Sequence, residues 1–189
     1  MPISGPVSDH SSTASTDPCR GRGLRIEVVA AIGHGRTPVS SFDDGLRRCG
    51  VYNYNLLLLS SVIPPGPTVV PVDRCARPAD EFGHRLYVVK AEARSDLPGA
   101  IVAAGVGWAQ WDDDRGVFVE HALQTCGASP DAVRADLIDH LRTATADLCL
   151  GRDIPFDAAR FQTRVSIGCV VAQPTTALVL AVYQSEGWQ

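Results

Sequence analysis

The segment Leu56-Leu57-Leu58-Leu59-Ser60-Ser61-Val62-Ile63-Pro64-Pro65-Gly66 constrains this chain more than any other. Its leucines lack the polar alternation of a half-solvated strand, so a strand over 52–59 is expected to be buried on both faces. Pro64 and Pro65 fix their own φ and restrict the residues before them, so the strand cannot run on. Ser60 and Ser61 therefore stand where an apolar strand meets a rigid turn. A serine doublet there has an ordinary reading, because serine hydroxyls bond nearby backbone in turns and caps. It also has a chemical one. A junction that cannot relax can hold strain of about 1–3 kcal/mol per unusual residue, with the Ser61 hydroxyl aimed at the carbonyl of Ser60. Attack there turns the amide into an ester, and elimination splits the chain between Ser60 and Ser61. Residue 61 is left carrying a reactive carbonyl.

The rest of the chain bounds the alternatives. At 189 residues, 45% hydrophobic and 20% charged, it suits one domain with its own core. The net charge of −4, with no basic patch interleaved with aromatics, argues against nucleic acid as a partner. The longest uncharged apolar stretches, such as 99–110, are too short to span a bilayer, and no secretory signal opens the chain. A cytoplasmic protein is expected, without a membrane partner. Cys19, Cys49, Cys75, Cys126, Cys149 and Cys169 form no C-x-x-C pair and read as buried or free thiols. The histidines do not group at ligand spacing, and His121 lies on the opposite strand face from Glu120. No metal site is expected.

Residues 1–22, rich in Ser, Thr, Pro, Asp and Gly, read as a disordered polar tail ahead of one domain over 23–189. A first strand begins at Leu24 and ends at the turn Gly33-His34-Gly35. A helix over 40–49 follows, capped by Ser40 or Ser41, with Asp43 and Asp44 near its start, Arg47 and Arg48 near its end, and Gly50 as its stop. Further strands are expected over 85–93, 100–111 and 116–124. Asp112-Asp113-Asp114-Arg115-Gly116 reads as a solvated hairpin turn rather than a cation site. Ser129-Pro130 opens a second helix, in which Val133, Leu137, Leu141, Ala144 and Leu148 make one apolar face. Strands over 161–172 and 176–184 complete an α+β pattern without repeats.

Asn53-Tyr54-Asn55-Leu56, three residues, Ser60-Ser61, two apolar residues and Pro64-Pro65-Gly66 together resemble the processing site of the pyruvoyl-dependent arginine decarboxylases. Upstream, Gly33-His34-Gly35 and Ser41-Phe42-Asp43 are similar to that family's glycine turn and Phe-Asp motif. Downstream, Pro98-Gly99-Ala100 and Gly116-Val117-Phe118-Val119-Glu120 are similar to its later strands. The resemblance spans about 24–183. It implies an αββα sandwich, self-cleaved into chains 1–60 and 61–189. It also implies a covalent pyruvoyl group made from Ser61, in place of pyridoxal phosphate or a metal. The implied reaction converts L-arginine to agmatine and carbon dioxide, in a homotrimer or a multiple of it with active sites between protomers.

Residue roles follow from the chemistry and the resemblance together. The keto group of residue 61 is expected to condense with the substrate amine as a Schiff base and accept the electron pair released with carbon dioxide. The carbanion equivalent then needs a proton. Glu120 shares a strand face with Phe118 and Ala122, where burial would keep its carboxyl protonated, and it matches the family's proton donor. The competing reading is an edge glutamate facing solvent. Asn55 matches a family residue associated with processing and can donate to the oxyanion formed at Ser60. Alternatively it pairs with backbone at the strand's start. Asp43 is either the third residue of a Ser40-x-x-Asp43 cap or, by resemblance, the partner of the substrate guanidinium. The chain departs from the family at Val39-Ser40-Ser41, where Leu-Asn-Ala is common. Two alternatives follow: the same chemistry on another amino acid, or an uncleaved non-enzymatic binding domain. A conventional serine hydrolase is disfavoured, because Gly-x-Ser-x-Gly is missing and no histidine is near Ser61 in sequence.

Overall fold

Apolar residues recur along both 25–34 and 175–186, and these segments pair as the central strands of a sheet. The computed structural model describes residues 23–188, so the polar tail expected over 1–22 lies outside it. β1 (Arg25–His34) is followed by α1 (Pro38–Cys49), β2 (Asn55–Leu58), β3 (Val62–Ile63), β4 (Thr68–Pro71), β5 (Arg85–Ser95), β6 (Ile101–Gln110), β7 (Gly116–Thr125), α2 (Pro130–Leu150), β8 (Gln162–Cys169) and β9 (Thr175–Glu186). One sheet has the order β2-β5-β9-β1-β4 and the other β3-β7-β6-β8.

Strand alternation sorts the core into three layers. Val28, Val89, Val179, Val106, Trp108 and Phe118 meet between the sheets. Leu46 and Cys49 of α1 pack with Val88, Leu178 and Leu180 on the outer face of the five-stranded sheet. Val133, Leu137 and Leu141 of α2 pack with Ile101, Ala103 and Val119 on the outer face of the other. The result is the expected αββα sandwich.

Four local readings change. α1 starts earlier than expected: Thr37 is its N-cap, Pro38 opens its first turn, and Ser40 closes the reciprocal capping box. Asp43 is thereby displaced from the capping position into the second turn. The leucine run is not buried on both faces. β2 is an edge strand bonded only to β5, and Leu57 and Leu58 are 38% and 66% exposed. β3 and β4 were not expected, because they are too short to show a period and flank prolines. The buried stripe of α2 ends at Thr145 and Cys149, with Ala144 and Leu148 only partly covered. The observed stripe steps by four residues throughout and so winds slowly around a helix of 3.6 residues per turn, and the Thr145 hydroxyl is satisfied by donating to the Leu141 carbonyl. The hairpin turn is found, with Asp114 at a φ of 63° and Asp113 paired to Arg115.

Gly50 ends α1 at a φ of 86°, with Arg47 and Arg48 in the last turn. Asp44 ties this helix to β1: it accepts from Arg47 (2.6 Å), Arg48 (2.7 Å) and the His34 N–H (3.1 Å). Burial alone would raise its pKa, but the two guanidinium groups and the His34 amide hold it well below the usual carboxylate range. Such a depressed pKa stabilises the fold fully above the ordinary aspartate value of 3.8, and the benefit is lost as pH falls below it. Both arginines are more than half exposed, so the effect is moderated by solvent. Asp44→Asn is expected to cost about 1–2 kcal/mol at pH 7. Denaturant melts should show the gap from the parent protein closing between pH 4 and pH 2.

Candidate active site

The chain leaves the five-stranded sheet at Leu59, whose N–H donates to the Val88 carbonyl (2.9 Å). It joins the four-stranded sheet at Val62, opposite Val117 of β7. Ser60 and Ser61 are the whole of the crossing between the two sheets. Pro64 and Pro65 then keep the chain from extending β3, and Gly66 turns it at a φ of 87°. This is the physical content of the serine doublet: it spans a gap between two layers that are fixed independently.

Ser61 is half-buried there, and its hydroxyl donates to Glu120 Oε2 at 2.8 Å. Two residues 59 apart in sequence are thus in direct contact. Glu120 lies on the inter-sheet face of β7, as alternation with Phe118 requires. The burial expected for it is not found, because its carboxylate is exposed in the single chain.

Backbone groups complete the junction. The Val62 N–H donates to the Ser60 carbonyl at 2.8 Å, closing a three-residue turn around Ser61. The Phe118 N–H donates to the Ser61 carbonyl at 3.1 Å, which anchors the junction to β7. The donor on the Ser60 carbonyl is therefore an amide of the chain itself. No side-chain pattern signals such a group, which is why sequence reasoning missed it. Neither Ser60 nor Ser61 has a positive φ, so the junction is constrained by its anchors rather than by left-handed backbone.

Tyr183 was also missed. Its hydroxyl donates to the Val62 carbonyl at 3.0 Å, and its ring packs edge-on against Phe118, which in turn packs against Trp108. Burial pushes the Tyr183 pKa up, so the phenol stays a donor. Tyr183→Phe leaves this acceptor unpaired and is expected to cost about 1–2 kcal/mol. Because β3 loses one of its anchors, the cleavage expected at Ser60–Ser61 should also slow by about tenfold, a barrier rise of about 1.4 kcal/mol. A time course of chain cleavage after synthesis checks this.

Asn55 and Asp43 lie elsewhere in the protomer. Asn55 is at the opposite end of β2 from Ser60. Its side-chain amide donates to the Gly83 carbonyl (2.7 Å), and its N–H donates to the His84 carbonyl (2.8 Å). Asp43 is exposed on α1, and the five-stranded sheet stands between it and Glu120. It lines a cavity of ≈ 420 Å³ with His34, Arg36, Arg47 and Tyr52. Among the described residues no hydrogen bond or ion pair engages it, in contrast to Asp44 beside it. Among the described residues no group of His, Cys, Asp and Glu is placed to hold a metal ion, and no helix is long and apolar enough to cross a membrane.

Fold and junction define a class: an αββα sandwich in which an internal serine crosses from one sheet to the other with its hydroxyl bonded to a carboxylate of β7. The model of the pyruvoyl-dependent arginine decarboxylases matches residues 25–187. The pyruvoyl-dependent arginine decarboxylase of Halobacterium salinarum is 32% identical over 161 residues, covering 84% of this chain and 93% of that protein. Its namesake in Methanocaldococcus jannaschii is 31% identical over 81 residues, 43% of this chain and 46% of that one. That of Picrophilus torridus is 30% identical over 85 residues. This chain belongs to the pyruvoyl-dependent arginine decarboxylase family.

Proposed function

We propose that the chain cleaves itself between Ser60 and Ser61 and then decarboxylates an amino acid, L-arginine first among them, to its amine. The observation that carries this is the hydrogen bond from Ser61 Oγ to Glu120 Oε2 at 2.8 Å. Glu120 takes the hydroxyl proton as Ser61 Oγ attacks the Ser60 carbonyl carbon, and the Val62 N–H holds the oxyanion. The C–N bond breaks in favour of the ester. Loss of the α-proton of residue 61 expels Ser60 as a carboxylate and leaves dehydroalanine, which water converts to a pyruvoyl group and ammonia. Asn55 serves processing by fixing the start of the strand whose far end presents Ser60.

The pyruvoyl group supplies the electron sink for carbon dioxide loss, so neither a metal nor pyridoxal phosphate is required. Around it, Glu120 lies within hydrogen-bonding reach of the reacting position and returns a proton there. Asp43 recognises the distal end of the substrate. A guanidinium matches a carboxylate by two parallel hydrogen bonds, and Asp43 is the acid of α1 left open for such a partner. The sheet between Asp43 and Glu120 means that one protomer does not bring both to one substrate. A homotrimer, or a multiple of it, with sites between protomers resolves this. The exposed Leu57, Leu58 and Val62 beside the junction support it, because an apolar patch of this kind is suited to burial by another copy. The scattered cysteines fit a reducing cytoplasm.

One observation favours a second substrate class. Arg36 lines the same cavity as Asp43 and offers a cation to a substrate with a distal carboxylate or amide. Carbon dioxide release from a panel of amino acids separates the two. The arginine reading predicts turnover of arginine and little of citrulline, its neutral isostere; turnover of other amino acids without arginine would overturn it. Asp43→Asn should raise KM for arginine by about 10–100-fold, the scale of a lost charged hydrogen bond, with kcat and melting temperature nearly unchanged.

A further inference from the structure

After cleavage at Ser60–Ser61, Cys49 and Cys75 belong to different chains, yet they are packed together. Cys49 closes α1 and Cys75 lies in the loop after β4. They are 0% and 2% exposed and share one apolar cluster with Val51 and Leu86. The Cys75 N–H donates to the Cys49 carbonyl at 2.9 Å. With standard bond lengths, that contact sets the two Cα atoms about 5–6 Å apart, the commonest separation across a disulfide. Gly50 permits the approach, since a Cβ there would lie 2.3 Å from the Cys75 carbonyl oxygen. Both thiols are free. Burial pushes each up to about 12, with Cys75 adding to the shift at Cys49 and Glu27 to that at Cys75. The decarboxylation chemistry uses neither.

We propose that Cys49 and Cys75 are an oxidation site, which a small-molecule disulfide converts to a single S–S bond tying residues 1–60 to residues 61–189. The tethering role rests on the self-cleavage reading; the bond itself does not. One thiol loses its proton and attacks the oxidant's sulfur, expelling one small thiol. The second then attacks the mixed disulfide and expels the other. Two protein thiols are oxidised and one small disulfide is reduced to two thiols, so electrons and protons balance. Cys75 and Gly50 line a cavity of ≈ 310 Å³ with Tyr52, Tyr54, Arg74 and Arg77, which gives the oxidant a path. Because both thiols are held protonated, the reaction is slow, and the buried product is then shielded from reduction. The site acts as a lasting clamp across the processed chain, not as a rapid switch.

The test is incubation of the purified, processed protein with millimolar oxidised glutathione for a day, then alkylation and peptide mapping beside electrophoresis without reductant. The expected result is one band of full-chain mass that separates into two with dithiothreitol, and a linked pair of peptides containing Cys49 and Cys75. Cys49→Ser and Cys75→Ser should each abolish the link, while Cys126→Ser and Cys169→Ser, at exposed thiols, should not. Ser61→Ala, which stays whole, should yield the same linked peptides, so failure to link is distinguishable from failure to cleave. Recovery of Cys49 and Cys75 as alkylated thiols after that incubation, or a link through Cys126 or Cys169, would overturn the proposal.

Discussion

Ser61→Ala is expected to leave the chain whole at 20.1 kDa and to reduce decarboxylation to background. The effect is the largest foreseen, because the proposed scheme gives one hydroxyl two duties: attack on the Ser60 carbonyl, and membership of the residue that becomes the reactive keto group. Removing it should barely disturb the fold. The Ser60 and Ser61 carbonyls keep their donors, Val62 and Phe118, and the side chain's one contact is the partly exposed one to Glu120. The unfolding free energy should therefore stay within about 0.5 kcal/mol of the parent's, as for surface changes generally. Ser60→Ala should behave differently: its carbonyl persists, so cleavage continues. Electrophoresis of freshly made protein distinguishes the two. Cleavage of the Ser61→Ala chain would place the nucleophile elsewhere.

Glu120→Gln is expected to slow both cleavage and turnover by about 10²–10⁴-fold, the range for loss of a positioned acid or base. Glutamine has the same size and still accepts from Ser61 Oγ, so the contact survives while proton transfer does not. Turnover must be counted per pyruvoyl group, by titration with hydroxylamine, so that slow maturation is not mistaken for slow catalysis. A Glu120→Gln protein that matures and turns over within twofold of the parent would reduce the 2.8 Å contact to coincidence.

Much of this was legible in the sequence, and each part that was not has its own physical cause. β1, β5, β6, β7, β9 and α2 are long apolar or amphipathic segments bounded by turn residues, so they fell near their expected places. The αββα layering came from the family resemblance rather than from any periodicity of the strands. Ser61 and Glu120 were each singled out by local chemistry together with the family resemblance; their contact needed the antiparallel registers of β3 on β7 and β7 on β6. β3 and β4 have 2 and 4 residues, too few for a pattern, and tertiary pairing alone makes them strands. The cap of α1 moved to Thr37 because Pro38 and Ser40 together suit the first turn better than Ser40 as cap. The leucine run misled for another reason: continuous hydrophobicity signals burial without saying by what. In the single chain β2 is an edge, and Leu57 and Leu58 stay exposed. The donor at the Ser60 carbonyl, a backbone amide, leaves no mark on side-chain composition.

The decisive measurement is the intact mass of purified, active protein under reducing, denaturing conditions, before and after hydroxylamine. Two chains are expected, residues 1–60 ending in a free carboxylate and residues 61–189 beginning with a pyruvoyl group, with only the second gaining hydroxylamine mass and losing activity. A single unmodified chain of 189 residues with full activity would contradict the account.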